Sequence, residues 1–384
     1  MANPIYLDAN ASAPTTAAVR AAISAALECG LGNPASDHLL GNSSRAALER
    51  ARTSLASLIN AAEENITFTS GGTEANALVL TSFAALASDR PRIVTTKAEH
   101  ASILRTLDQL NDVEVRRIPL SPEGLADVEW LQQLPVGPPT LVTVHWVNNE
   151  TGVVQPVSKL RAVARERGFL FHTDAAQAIG KLDANVAELA PDYLTLTGHK
   201  LHAPPGVGAV VARPKLLRAM WGGGGQEGGS RPGTENLLGA IALGAAADER
   251  RMAIPAVAKV VGAMRDRLEA GLKGIDGAWI NGQGAERIWN TTNVGFEGAS
   301  AAAVLAQLAS LGVCASTGSA CESGRPEPSH VLRAMGLDEP SALSSLRFSL
   351  SPLNTEAEID SALEAIKHSV ERVRSFGSKM QEIT

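Results

Sequence analysis

Apolar and polar positions alternate along the first 260 residues in a pattern that predicts buried strands separated by helices. Short apolar runs at 66–69, 93–95, 141–144, 169–173, 193–196 and 207–211 are bounded by polar or turn-forming residues, as buried strands are. Between them, 73–86 and 158–167 carry helical apolar spacing, the second closed by Gly168. Strands alternating with helices in this way predict a mainly parallel sheet covered by helices. Glycine dominates 221–233, and an alanine-rich helical stretch then runs from about 235 to 273. The last hundred residues predict a strand at 292–296, a helix over 300–311, a loop around Cys321 and a charged C-terminal helix. These form a second, smaller α+β unit, and 384 residues are enough for two cores.

Composition changes this picture little. Apolar residues make up 45% and charged residues 19%, as in an ordinary globular protein. The net charge of −6 implies no basic face, so neither nucleic acid nor an anionic membrane is an expected partner. No apolar run has the length of a membrane span, and the N-terminus has no basic stretch leading into an apolar one. Three cysteines, an odd number, argue against a disulfide framework and suit a reducing compartment. A cytoplasmic location is expected.

The chemistry gathers where the predicted strands end. Ser70-Gly71-Gly72-Thr73 follows one strand, Glu99-His100 another, Asn148-Asn149-Glu150 a third, Asp174 a fourth and Thr197-Gly198-His199-Lys200 a fifth. Ligands of open α/β sheets bind at the carboxyl ends of the strands, so five strand ends converge on one site. The glycines at 71–72 suit either a phosphate cradle at a helix start or an ordinary helix cap at Thr73. Lys200 just past an apolar strand, with Asp174 ending its neighbour, is the pair that pyridoxal phosphate (PLP) requires: a Schiff-base lysine and a carboxylate for the pyridinium nitrogen. His100 suits ring stacking or proton handling. His172 and Asp174, facing the same way on a strand, also have metal-ligand spacing, with His145, His199 or His202 to complete a set. The Gly222–Gly225 run with Arg231 suits either a backbone anion nest or an interdomain turn. Cys321 sits among small polar residues from Ser316 to Gly324, where a buried structural thiol is out of place and a reactive one is not. Cys29 and Cys314 have the surroundings of packing residues. Arg347, within an apolar strand pattern, suits a carboxylate ligand, or a strand edge facing water.

Taken together these segments resemble the cysteine desulfurases of the NifS and IscS type, within the class V aminotransferase group of PLP enzymes. The resemblance rests on Tyr6-Leu-Asp-Ala-Asn10, Asn33-Pro-Ala-Ser36, Phe68-Thr-Ser-Gly-Gly-Thr-Glu74, Glu99-His100, His145-Trp-Val-Asn-Asn-Glu-Thr-Gly152 and His172-Thr-Asp-Ala-Ala-Gln177. It continues through Thr197-Gly-His-Lys-Leu-His202, Arg231-Pro-Gly-Thr-Glu-Asn236, Thr317-Gly-Ser-Ala-Cys-Glu-Ser323 and Arg347-Phe-Ser-Leu350, and so covers almost the whole chain.

The resemblance implies PLP fold type I, with a large α/β domain over 15–258 and a small α+β domain from 1–14 plus 259–384. It implies that Lys200 binds PLP covalently, that Asp174 pairs with the pyridine nitrogen and that His100 stacks on the ring. Gln177 and Asn149 would face the ring O3′, and Gly72, Thr73, Thr197 and His199 would hold the phosphate. Thr234 would reach the partner subunit's phosphate in a homodimer. Arg347, with Asn149, would bind the carboxylate of L-cysteine, and Cys321 would take the sulfur as a persulfide for an acceptor protein such as an iron–sulfur scaffold. Gly228 and Ser230 stand where the family often has arginines, and no IscS-type extension is recognisable after Val373, which favours a NifS-like role. The rival readings are a class V aminotransferase, a selenocysteine lyase, a metal-dependent hydrolase on His172 and Asp174, and a non-catalytic binder of PLP or a scaffold.

Overall fold

The computed structural model describes residues 4–87, 90–317 and 327–381. Seven strands form the main sheet: β2 (Ile66–Thr69), β3 (Arg92–Thr95), β4 (Glu114–Arg117), β5 (Thr140–Thr143), β6 (Leu170–Asp174), β7 (Tyr193–Thr197) and β8 (Gly208–Ala212). Their spatial order is β2-β8-β7-β6-β5-β3-β4, parallel throughout except for β8, which is antiparallel to both neighbours. The six apolar runs of the sequence all become strands of this sheet, shifted by at most one residue at either end. The seventh, β4, has the sequence Glu-Val-Arg-Arg. It is an edge strand beside β3 alone, so it carries charge where central strands carry apolar residues.

The remaining strands are β1 (Ile5–Tyr6), β9 (Ala278–Ile280), β10 (Thr291–Phe296), β11 (Val313–Cys314) and β12 (Ser345–Ser349). An antiparallel sheet, β12-β10-β9, and a parallel pair, β1-β11, build the second unit. Its apolar core includes Leu7, Phe296, Leu308, Phe348 and Ile366, and is separate from the core under the main sheet. The long helix Leu237–Lys273 serves both units. Its first half packs Leu237, Leu243 and Ala247 into the first core, and its second half packs Val261, Leu268 and Leu272 into the other. Pro255 lies between the halves. Among the described residues no helix is long and apolar enough to cross a membrane.

One close approach brings the strand ends together. Gly208 pairs with Thr69 on one side and Thr197 on the other. A Cβ there would lie 2.7 Å from both Gly71 Cα and Leu196 O. Glycine at 208 therefore lets the turn after β2 fold down against the end of β7.

Glu269, on the second half of the long helix, holds the smaller unit together. It accepts from Arg287 Nη1 and Nη2 (2.8 and 2.9 Å) and from Thr292 Oγ1 on β10 (2.9 Å), and it is 6% exposed. Burial would raise its pKa, but Arg287, Thr292 and Lys273 outweigh this and hold it at about 2. A depressed carboxylate contributes stability above its ordinary pKa and loses it as the pH falls through the folded value. Glu269→Gln is therefore expected to destabilise the fold at pH 7 by about 3 kcal/mol, the cost of orphaning one member of a buried pair. Denaturant unfolding of both proteins at a series of pH values checks this: the difference shrinks as the pH falls from about 4.5 towards 2, and a pH-independent difference contradicts it.

Candidate active site

The carboxyl ends of β2, β3, β5, β6 and β7 do converge. Asp174 ends β6 and is buried. Its Oδ1 accepts from the Ala176 N–H (2.9 Å) and its Oδ2 from Asn76 Nδ2 (2.8 Å). Burial alone would raise its pKa, but His100, the Ala176 N–H, Lys200 and Asn76 reverse the shift, so the carboxylate stays ionised. Asn76 is itself fixed, donating to Ser102 Oγ (2.9 Å) and accepting from Thr195 Oγ1 (2.6 Å).

His100 caps the helix Ala101–Gln109. Its Nδ1 accepts from the Ser102 backbone N–H (3.1 Å) and lies 2.8 Å from Ser102 Oγ. In the neutral ring this leaves the proton on Nε2. The ring is tethered on one side yet exposed to the cavity on the other. The surrounding protein and the Lys200 charge lower its pKa, so it is mostly neutral at pH 7. Lys200 closes the short helical turn after β7 and has no hydrogen bond or ion pair among the described residues. Burial, opposed by Asp174 and aided by Arg347, lowers its pKa. His199 is lowered to about 4, first by burial and then by Lys200 and His100.

The helix Gly72–Leu86 starts without a side-chain cap. The N–H groups of its first turn are therefore left for a ligand or solvent. Thr197 stands beside them: a Cβ on Gly72 would lie 3.4 Å from Thr197 Cβ. Thr73 is exposed at the same end, and Thr197 is buried. Glycine and threonine thus form a shallow cup at a helix N-terminus. Thr234 is exposed on a cavity of about 120 Å³ shared with Thr69, Ser70 and Gly206. Its glycine-rich segment is pinned by two ion pairs, Glu227 with Arg52 (2.9 Å) and Arg231 with Glu74 (2.8 Å).

On the smaller unit Arg347 of β12 is 3% exposed, a buried residue and not one facing water. Its Nη2 donates to Asp8 Oδ1 (2.6 Å) and its Nη1 to Asn149 O (3.0 Å), while Nε is buried with no partner among the described residues. Asn149, Glu150, His100 and His330 line a cavity of about 910 Å³. Gln177 is buried, donating through Nε2 to Asn10 O (2.9 Å) and accepting at Oε1 from Lys181 Nζ (2.6 Å).

Two expectations resolve differently, and a third falls outside the described residues. Both nitrogens of His172 are taken by threonine hydroxyls, Thr143 Oγ1 at 2.7 Å and Thr195 Oγ1 at 3.2 Å. Burial lowers its pKa to about 4, making it a neutral hydrogen-bonded spacer under Asp174. Cys29 is exposed and not packed, because it faces a groove between helices beside Ala22 and Ser44. Cys321 lies outside the described residues, although both flanks of its segment reach this site. Ser316 pairs with Arg347 in a backbone bridge, and His330 Nε2 contacts Glu99 O (2.9 Å). Asp8, Asn10, Asn76, Ser102 and Lys181 join the site without having been singled out. For Asn76 a signal existed, an amide on the apolar face of a predicted helix.

Residues 5–362 match the family profile described as Aminotransferase class-V. The chain is 43% identical over 376 residues to Cysteine desulfurase 2 of Trichormus variabilis, covering 97% of this chain and 94% of that one. A solved NifS-like protein superposes with a TM-score of 0.90 at 30% identity, over 96% of this chain and 100% of the other. A second solved structure, SspA in complex with cysteine, superposes with a TM-score of 0.78 at 31% identity, over 91% and 99%. Agreement of this extent, over both units and every strand end of the cavity, places the chain in the class V aminotransferase family and, within it, among the cysteine desulfurases.

Proposed function

We propose that the protein takes sulfur from L-cysteine, releasing L-alanine and holding the sulfur on Cys321 for an acceptor protein. The observation that supports this best is that Lys200 feels charges from both units: Asp174 on the main sheet, and on the smaller unit Arg347, whose buried Nε has no partner among the described residues. The SspA structure holding cysteine is a relative of the same fold. The two apolar cores support a division into a large domain, 15–258, and a small one, 1–14 plus 259–384. Two features cross the division: Ile288 packs with the larger core, and Ala98 packs with Val331, Leu332, Met335 and Ala342.

The family depends on PLP, and the residues here fit that group. A buried ionised carboxylate, an imidazole open on one face, a lysine amine without a partner among the described residues and a capless helix start at Gly72 are the four fixtures it needs. Asp174 would hold the pyridine nitrogen, His100 the ring face, and Asn149 and Gln177 the O3′ side. Gly72, Thr73, Thr197 and His199 would hold the phosphate, with Thr234 reaching that of a second subunit. When bound, PLP supplies an electron sink for the substrate α-carbon.

The protein's own part follows from its charges. Arg347 and Asn149 orient the substrate carboxylate, which turns the α-carbon towards Lys200. The lowered pKa of Lys200 leaves more of it as free amine near neutrality, the form that takes the proton from Cα. The Cys321 thiolate attacks the substrate Sγ: the new S–S bond forms as the Cβ–Sγ bond breaks, and the electron pair stays with the carbon fragment that is protonated to alanine. The small polar sequence around Cys321 favours this over the aminotransferase reading, which requires no thiol.

Three outcomes are expected. Borohydride treatment of the yellow holoenzyme attaches the pyridoxyl group to the peptide containing Lys200, and Lys200→Ala loses turnover while still retaining PLP; a colourless, metal-loaded protein sinks the reading. Cys321→Ser binds PLP and L-cysteine normally by absorbance yet forms alanine at least about a hundredfold more slowly, because a hydroxyl is a far weaker nucleophile towards sulfur. Normal alanine production by that variant, measured beside Cys29→Ser and Cys314→Ser, would move the protein to another class of PLP lyase or aminotransferase. The exposed leucines 27, 31, 39 and 40 favour a homodimer. Light scattering should therefore give twice the chain mass, and Thr234→Ala should release PLP more readily; a fully active monomer contradicts both.

A further inference from the structure

Asn10 follows β1 and is 2% exposed. Its N–H donates to Ser349 Oγ (2.9 Å), and its carbonyl accepts from Gln177 Nε2 (2.9 Å). Its side-chain Nδ2 donates to Asn149 O (3.1 Å) and Thr291 Oγ1 (2.9 Å), and Oδ1 accepts from Lys181 Nζ (3.0 Å) and Asn290 Nδ2 (3.1 Å). A primary amide has two donors and two lone pairs, so this one is saturated. Asn149, Gln177 and Lys181 belong to the main-sheet unit, whereas Asn290, Thr291 and Ser349 lie on or beside the three-stranded sheet. One amide therefore ties the two units together at their shared cavity.

The tie bears on Arg347 through a single atom. Asn149 O accepts from both Asn10 Nδ2 and Arg347 Nη1. Lys181 keeps the amide from flipping. It is 7% exposed, and its Nζ meets two amide oxygens, Asn10 Oδ1 and Gln177 Oε1, with no carboxylate partner among the described residues. Burial, then Lys200, Arg347 and Arg250, push its pKa well below 10.5. A neutral amine has two N–H donors, which matches two acceptors. Reversing the Asn10 amide would set its NH₂ against the Lys181 donor and its oxygen against Asn149 O.

We propose that Asn10 is a positioning residue for the substrate-carboxylate pocket, holding the Asn149 carbonyl where it orients Arg347 across the interface between the two units. The inference rests on the reading of Arg347 as the carboxylate ligand. Asn10→Asp keeps the shape and the contacts at Oδ1 but removes both donors and sets a carboxylate oxygen against Asn149 O. It is expected to raise KM for L-cysteine about tenfold, the scale of one lost oriented hydrogen bond, with kcat within about twofold. The dissociation constant of L-alanine, titrated by cofactor absorbance without turnover, rises in parallel. Arg347→Lys raises both constants, and the double variant Asn10→Asp/Arg347→Lys raises them no further than Arg347→Lys alone, because the two act through one atom. Thr291→Val, which removes one acceptor of Asn10 Nδ2, gives a smaller rise of the same kind and serves if the Asn10 variants fold poorly. Additive effects in the double variant, or a fall in kcat at unchanged KM, overturn the inference. An unchanged KM in Arg347→Lys overturns the reading of Arg347 itself. An unchanged KM in Asn10→Asp beside a raised one in Arg347→Lys overturns this inference alone.

Discussion

A carboxylate at the buried end of a central strand has to be kept ionised against the cost of leaving water, and the surroundings of Asp174 are arranged around that demand. The Ala176 N–H and the Asn76 amide donate to its two oxygens, and His100 and Lys200 lie close enough to favour its ionised form. The consequences spread outward. Holding Asn76 requires Thr195 and Ser102, and Ser102 in turn fixes His100. Beneath, His172 bridges two threonines as a neutral ring, adding no charge that would compete for the carboxylate. The same field that ionises Asp174 is balanced at Lys200, where burial and Arg347 favour the free amine more than Asp174 opposes it. At both Lys200 and His100 burial lowers the pKa and Asp174 only moderates the shift.

The smaller unit contributes the opposite wall, and its demand is orientation. A guanidinium with one nitrogen on Asp8 and another on Asn149 O has little rotational freedom left, and its buried Nε has no partner among the described residues. Both tethers come from segments remote in sequence. Asp8 and Asn10 belong to the N-terminal stretch, which joins the second core through Leu7 while Asn10 is hydrogen-bonded into the first unit. The chain's beginning is therefore a strap between the units. The placement of Arg347 depends on that strap as much as on β12.

Much of this was legible in the sequence because parallel strands buried on both faces are written as contiguous apolar runs, and the residues ending them are the site. Ser70 to Thr73, His100, Asn149, Asp174 and Lys200 could be found by position alone. The strand β4 was not, since an edge strand bearing Glu114, Arg116 and Arg117 lacks an apolar run. The fixing residues were missed for a related reason. Asn76 lies 98 positions from Asp174 and Asp8 lies 339 from Arg347, and no local pattern encodes such pairings. Cys29 was misjudged because an alanine-rich helix end has the same composition whether it is packed or open.

The two halves of the site differ in how they are held, and the difference suits what each must do. The main-sheet half is built from strand ends and helix starts, fixed by backbone geometry and by Gly208 and Gly198, where a Cβ would lie 2.7 Å from its nearest neighbour. The half around Arg347 is fixed by side-chain hydrogen bonds that cross between two separately packed cores. Ser316 and Ser329, which flank the segment carrying Cys321, attach to this second half: Ser316 pairs with Arg347, and Ser329 Oγ donates to Glu150, the residue after Asn149. Arg347 and Glu150 are therefore the two residues to which the described flanks of that segment attach, while Lys200 and Asp174 stand on strand ends of the main sheet.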